Sequence, residues 1–593
     1  MTTDTELTWR KCPTCGYLVP AQQAACTRCT PAPTATPAPT MPPSEPPPPP
    51  TASEPPSGPG APSWPSPLPP QPAATPPVAP GAPGAWSALR AGEILPPPPP
   101  GGPGAATSPN ASFRRTGLVV AAIVVVVALV GVGLATTVLR TSDHPSHWDP
   151  RLGDLPATVA RLRGLQFEHP VPVRYEPASR FVKERALGTS EQTAAQRRAS
   201  TQAAESLRAI GLLSGKVDLF AASKTSRENR VLAFYDPDAK EVVIRGGTRT
   251  LDVPHRVVLA HELTHVLQDQ HFDLNRLEDA VRRAPGQSPQ ALRAVIEGDA
   301  NRIEKKYLSG LSGNDRADFR AWERKGSQGA DSATADVPAV ISVLQGAPYA
   351  FGPLALEVVT ADGGNGAVDR VFEHGVFTQQ LFVEPSASFT EPAPEPIAAP
   401  KAAAGEKTIG TPDELGAFDL YLLLASRIDG ADALAAASTW SGGRSRTVRS
   451  DGRVCQRAVV AASTTGGAGA LERDLQRWSS ALPAGMATVR RDGNRVAMRS
   501  CDPGAASALA SPDAAIARAR NLLVAHNEIE VALVGQAKAA GMPLRTVRCA
   551  ALEFVRSPQL SVVLALPEAD VSATQVRDAI SAAAPAVRTA CGL

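Results

Sequence analysis

From Gly117 to Leu139 the chain reads GLVVAAIVVVVALVGVGLATTVL, an apolar run without a single charged residue. No other feature constrains the fold as strongly. As a helix this run covers about 34 Å, enough to cross a hydrocarbon core of about 30 Å. It lies too far into the chain to be the apolar region of a secretory signal. We therefore expect one transmembrane helix at 117–139 that separates an N-terminal part from a large C-terminal part.

The N-terminal part has two sections. Cys12, Cys15, Cys26 and Cys29 form CPTC and CTRC, two thiolate pairs with the spacing of a tetrahedral structural zinc site. Residues 1–30 are thus expected to be a zinc ribbon, folded only with its ion. Its task is open: it could hold a cytosolic partner, touch nucleic acid or cap the tail, with Arg10, Lys11 and Arg28 as its basic residues. More than half of the chain's 59 prolines fall between Pro31 and Asn110, so 31–112 is expected to be a disordered linker. A net charge of +2 provides no field that would draw in nucleic acid.

Charges flanking the span are nearly balanced, with Arg114 and Arg115 before it and Arg140 and Arg151 after it. The cysteines orient it better. Zinc thiolates suit a reducing cytosol, whereas Cys455, Cys501, Cys549 and Cys591 lack metal-like spacing and read as disulfide partners, Cys455 with Cys501 and Cys549 with Cys591 by proximity. The N-terminus is then cytosolic and residues 141–593 lie outside a cytoplasmic membrane.

The outer part reads as mixed α+β and mostly helical. Val231–Tyr235 and Glu241–Arg245 are β-rich runs joined by turn-forming residues, which predicts a hairpin. Asp252 and Pro254 then open a helix whose run Val257–Leu267 is apolar on more than one face, as in a buried helix. It carries His261-Glu262-Leu263-Thr264-His265. Residues four apart share a helix face, so both imidazoles can bind one zinc while Glu262 is placed as a general base for water. The helix is outside the membrane span, which excludes intramembrane proteolysis.

A catalytic zinc takes a third protein ligand. His271 follows too closely after His265, with no intervening glycine turn, for the HExxHxxGxxH arrangement. A second helix is expected over Ser288–Leu308, where Glu297 stands in an apolar stripe of Leu292, Val295, Ile296 and Ile303. Glu297 is the expected third ligand, with an ion pair to Arg293 or Arg302 as the alternative. Asp299 and Asn301 are both candidates to hold a ligand histidine by its other ring nitrogen. After a flexible Pro/Ala-rich excursion at about 384–408, helix resumes at Glu414–Arg427. Beyond Ser511 a small α+β accessory unit is expected, with helices near 515–537 and 573–583 and strands near 552–555 and 561–566.

HELTH with a glutamate on a later helix resembles the gluzincin metallopeptidases. The longer strings HELTHVLQDQHFDL and IEGDAN are similar to a group of poorly characterised bacterial proteins of that type. The likeness extends through Phe351-Gly352-Pro353, the region Phe377-Thr378-Gln379-Gln380, and Leu415-Gly416 to Trp440-Ser441-Gly442. It implies a zincin-like domain over 145–510, with His261, His265 and Glu297 as zinc ligands, Glu262 as base and the preceding hairpin holding an extended peptide by edge pairing. His265 and Glu297 are further apart than in the thermolysin-like pattern. Tyr349, His271 and His374 remain open as oxyanion stabilisers. The implied cofactors are one catalytic and one structural zinc, and the implied partner is a peptide or protein substrate. A non-catalytic tethered scaffold or sensor is the alternative.

Overall fold

The computed structural model describes residues 9–11, 18–20, 144–178, 180–181, 194–222, 232–246, 251–334, 337–387, 394–539, 541–566 and 573–592. The chain divides into two units, residues 1–66 and 67–593. In the first, β1 (Trp9–Lys11) and β2 (Leu18–Pro20) pair antiparallel, Trp9 opposite Pro20. Cys12, Cys15, Cys26 and Cys29, the proline-rich linker and the 117–139 span lie outside the described residues.

The second unit is mixed α+β with helix predominating. Its first part contains α1 (Leu155–Arg163), β3 (Val173–Glu176), α2 (Ala194–Ala209), β4 (Ala233–Asp236), β5 (Glu241–Arg245), α3 (Val253–Phe272), α4 (Leu274–Arg283), α5 (Pro289–Ser309), α6 (Gly313–Thr334), α7 (Ala339–His374) and α8 (Gln380–Val383). A small sheet runs in the order β3, β5, β4, so among the described residues β4 is an edge strand. The hairpin turns at Asp236, whose Oδ1 accepts from the amides of Asp238 and Ala239, and at Lys240 with φ 54°.

Two apolar clusters meet at the α3/α5 pair. Leu259, Ala260, Leu263 and Val266 of α3 pack with Val242 and Ile244 of the sheet and Leu155 and Val159 of α1. Ala291, Leu292 and Val295 of α5 belong to a larger core with α7 and everything that follows. Asp252 caps α3 through the amide of His255, and Ser288 caps α5 through that of Ala291, as their sequence positions suggest.

Helix α5 approaches α7 backbone to backbone. A Cβ on Gly298 would meet the carbonyl carbon of Gly352 at 2.5 Å, and a Cβ on Gly352 would meet the oxygen of Ala294 at 2.0 Å. Among the described residues, one stretch, Ala339–Ala361 of α7, is long and apolar enough to cross a membrane. Of that stretch 72% is buried inside the protein, where Val340, Ile341, Leu344 and Phe351 are core residues.

The remainder comprises β6 (Lys407–Glu414), α9 (Ala417–Ala425), α10 (Gly430–Ala437), β7 (Trp440–Ser450), β8 (Arg453–Ala462), α11 (Thr465–Ser480), β9 (Ala487–Asp492), β10 (Arg495–Cys501), α12 (Asp513–Ala539), α13 (Leu544–Arg556), α14 (Pro558–Leu564) and α15 (Ala573–Cys591). Three features differ from the sequence expectations. First, instead of a few short strands there is a five-stranded antiparallel sheet, ordered β6-β7-β8-β10-β9. Second, the described part of the supposedly flexible excursion is fixed. Arg446, Arg457 and Arg499 lie side by side across β7, β8 and β10. Arg446 donates to the carbonyl of Pro400, and Arg457 and Arg499 both bond Glu406, at 2.5 and 2.9 Å. Burial opposes charge on Glu406, but its bonds to the arginines and to the Ala403 amide hold the carboxyl down at about 2. Residues 394–406 thus strap over a row of arginines that would otherwise repel one another.

Third, the predicted strands at 552–555 and 561–566 are helical, in α13 and α14. The buried residues Val547, Ala550, Ala551, Phe554 and Val555 recur with helical spacing, which overrides the β propensity of a short window. Ile516, Ala519, Leu523, Phe554 and Leu560 join the same core as α7, so 511–593 is no separate α+β unit. Disulfides link Cys455 with Cys501 and Cys549 with Cys591, the pairs suggested by proximity.

Candidate metal centre

His261 and His265 project from one face of α3, with ring centroids 4.7 Å apart and planes at 83°. Glu297, from α5, enters between them: its Oε2 lies 3.2 Å from His261 Nε2 and 3.5 Å from His265 Nε2. One donor atom from each residue falls within 4.8 Å of the others, and the cluster can hold a metal ion. The alternative ion pair with Arg293 is present, since the second oxygen of Glu297, Oε1, accepts from Tyr349 Oη (2.7 Å) and Arg293 Nη2 (3.2 Å). Burial works against a charge on Glu297, but the two histidines and Arg293 keep the carboxyl well below its ordinary range.

Whether these donors suit a metal depends on which ring nitrogens carry hydrogen. Gln268 Nε2 donates to Asp299 Oδ2 and to the Ile296 carbonyl, both at 3.0 Å, so Oε1 is the atom that faces His265 Nδ1 at 2.9 Å. That nitrogen must donate, leaving a lone pair on Nε2 where the three donors converge. Glu304 Oε2 does the same for His261, 3.0 Å from Nδ1. The residues fit a metal: two Nε2 lone pairs and an ionised carboxylate, each oriented from behind.

These orienting groups correct the sequence reading. Neither Asp299 nor Asn301 holds a histidine. Asp299 acts through Gln268 and is itself held by two buried guanidiniums, Arg163 Nε at 2.7 Å and Arg302 Nη2 at 2.6 Å. Asn301 instead donates to the Glu297 backbone carbonyl, 2.9 Å away. Glu304 and Gln268 were missed, although both stand at helical spacing from the site: seven residues beyond Glu297 and three beyond His265.

Glu262 lies beside the cluster and its Oε2 accepts the backbone N–H of Tyr235 at 2.8 Å. Burial pushes this carboxyl up, against the lowering pull of both histidines and that amide. The hairpin is tied to α3 a second time, by Tyr235 Oη (2.5 Å) and Lys240 Nζ (2.6 Å) on Asp269 Oδ2. Arg245 N bonds Leu232 O, so by antiparallel alternation Ala233 and Tyr235 direct their backbone groups away from β5. Glu262 thus sits against the outward side of β4.

Of the other candidates, His271 Nε2 donates to the Gln166 carbonyl and His374 stands exposed beside Glu373, neither at the cluster. Tyr349 is buried and donates to Glu297. Compared with protein-family models, with curated proteins and with solved structures, the chain matches none.

Proposed function

We propose that the chain is a metal-dependent hydrolase and, more narrowly, a zinc peptidase of the gluzincin type. The observation carrying this reading is the position of Glu262, next to the His261, His265 and Glu297 donors and bonded to the outward amide of an edge strand. Two imidazoles and one carboxylate form a three-ligand set suited to catalytic zinc, which when bound supplies Lewis acidity to water and to a scissile carbonyl. An ion held only for structure has no use for a buried carboxylate base at its side, which speaks against a scaffold.

The chain's own part in the reaction is as follows. The outward groups of β4 align an extended peptide. Glu262 takes a proton from the attacking water and returns it to the leaving nitrogen. Burial, by raising the Glu262 carboxyl, makes its carboxylate the stronger base for taking that proton. Gln268 and Glu304 keep the imidazoles oriented throughout.

We further propose a single-pass protein of the cytoplasmic membrane, spanning at 117–139, with a cytosolic zinc ribbon on Cys12, Cys15, Cys26 and Cys29. Support for an outside location of 141–593 comes from the disulfides Cys455–Cys501 and Cys549–Cys591, which persist in oxidising compartments.

The test is digestion of an unbiased peptide library by the full-length protein in detergent, beside Glu262→Gln. Cleavage is expected from the wild type alone, with equal zinc in both. Cleavage by Glu262→Gln at the wild-type rate would refute the assignment.

A further inference from the structure

Hydrolysis of an amide places negative charge on the former carbonyl oxygen, and hydrolases meet that charge with a donor fixed in advance. The side chains considered for this from sequence fail on position. His271 and His374 lie elsewhere, and the hydroxyl of buried Tyr349 is committed to Glu297.

Arg293 does not fail. It lies one turn before Glu297 on the same face of α5, with Nη2 3.2 Å from Glu297 Oε1 and 3.4 Å from Tyr349 Oη. Unlike the fully buried Arg163, its side chain keeps 28% of its surface exposed, so a substrate can reach it. Glu297 therefore divides its two oxygens, Oε2 to the imidazoles and Oε1 to Arg293 and Tyr349, which puts a permanent cation one carboxylate's width from the donor cluster. A cation there competes with a metal for the electrons of Glu297. A site built only to retain an ion would do better without it, and a site in which a second anion forms during reaction gains from it.

We infer that Arg293 is the oxyanion-stabilising residue of this centre, an inference that rests on the peptidase reading above. As the water oxygen bonds to the carbonyl carbon and its proton passes to Glu262, the carbonyl π pair moves onto oxygen, and the Arg293 guanidinium donates to that oxygen. When the pair returns, the C–N bond breaks, nitrogen takes the proton from Glu262, and an acid and an amine leave. Tyr349 is a positioning residue, accepting from Arg293 and donating to Glu297.

The experiment uses full-length protein and a peptide that the wild type cleaves. For Arg293→Met and Arg293→Lys it measures kcat, KM, zinc per chain, and the Ki of a phosphinic analogue of the same peptide. The expected result is a fall in kcat/KM of about 10²–10³ for Arg293→Met, carried by kcat, with partial rescue in Arg293→Lys. Zinc content and KM stay near wild type, and log Ki of the analogue follows log KM/kcat across the series. Loss of zinc in both variants, a change confined to KM, or unimpaired kcat would each overturn the inference. If the wild type cleaves and Glu262→Gln does not, while Arg293→Met is unimpaired, this inference alone falls. If the wild type cleaves nothing, the peptidase reading falls with it.

Discussion

Oε1 of Gln268 faces Nδ1 of His265 at 2.9 Å, and this contact decides which nitrogen of the ring is left for a metal. The amide cannot turn around without losing its bonds to Asp299 and to the carbonyl of Ile296. Gln268→Leu should thus free the ring of His265 while leaving every donor atom in place. We expect zinc affinity to fall about 10–100-fold, measured by competition with a chromogenic chelator. Hydrolysis should fail at limiting zinc and recover in excess; unchanged affinity would show that His265 is oriented by other means.

Gly352→Ala is expected to destabilise the protein by about 3 kcal/mol, at the upper end of overpacking, because the new methyl would meet the Ala294 backbone at 2.0 Å. Since Ala294 lies in the turn before Glu297, the same variant should also lose zinc. Gly346→Ala, on the same helix but with nothing within 4 Å, should be neutral or stabilising by up to about 1 kcal/mol. Denaturant titration of the two variants tests the difference.

Stability should fall between pH 6.5 and 8 because of Glu530. This residue of α12 is fully buried and accepts the amide of Ser386 at 2.9 Å, and burial pushes its carboxyl up to about 8 from 4.5. The folded form then keeps a proton that the unfolded form releases, so the contribution is complete below about 4.5 and disappears as pH rises through 8. Nearby His526 has the opposite sign, since burial lowers it to about 4, but it is silent above 6.5, where both states are neutral. Over that window the share of the loss due to Glu530 should be about 2 kcal/mol, beside that of Glu323, whose carboxyl burial pushes up to about 7. Melts of Glu530→Gln should show that slope flattened; an identical slope would place the proton elsewhere.

The contrast between what could and could not be read from the sequence follows the range of the interactions. His261, Glu262 and His265 are fixed by one helical turn, and the caps Asp252 and Ser288 act over three residues, so all were legible. Glu297 was legible as a carboxylate out of place in an apolar stripe. Gln268, Asp269 and Gln270 were given no role from sequence, because their partners, Asp299, Tyr235 and His169, lie 31, 34 and 101 residues away. The arginine-rich strands were illegible for a related reason. WSGGRSRTVRS shows little apolar alternation, and what pairs Arg446 with Arg457 and Arg499 is a strap whose Glu406 is called up from elsewhere in the chain.

The Cys549–Cys591 disulfide joins α13 to α15 across a sequence separation of 42. Closing a loop of that size contributes about 2–4 kcal/mol. Cys549→Ser should lower stability by this amount and become insensitive to reductant at that bond, while the metal affinity of the His261, His265 and Glu297 cluster is unchanged. A thiol assay finding both cysteines free in the native protein would count against the oxidising compartment as well.

The tie between Glu262 and Tyr235 is made by a backbone amide, which every residue type except proline possesses. Sequence drift at position 235 can therefore weaken the phenol's grip on Asp269 without detaching the strand from the base. Changes in the side chains of the strand and changes in how Glu262 is held are separable under mutation. Descendants of this chain could vary the side chains along β4 while inheriting the same distance between the strand and Glu262.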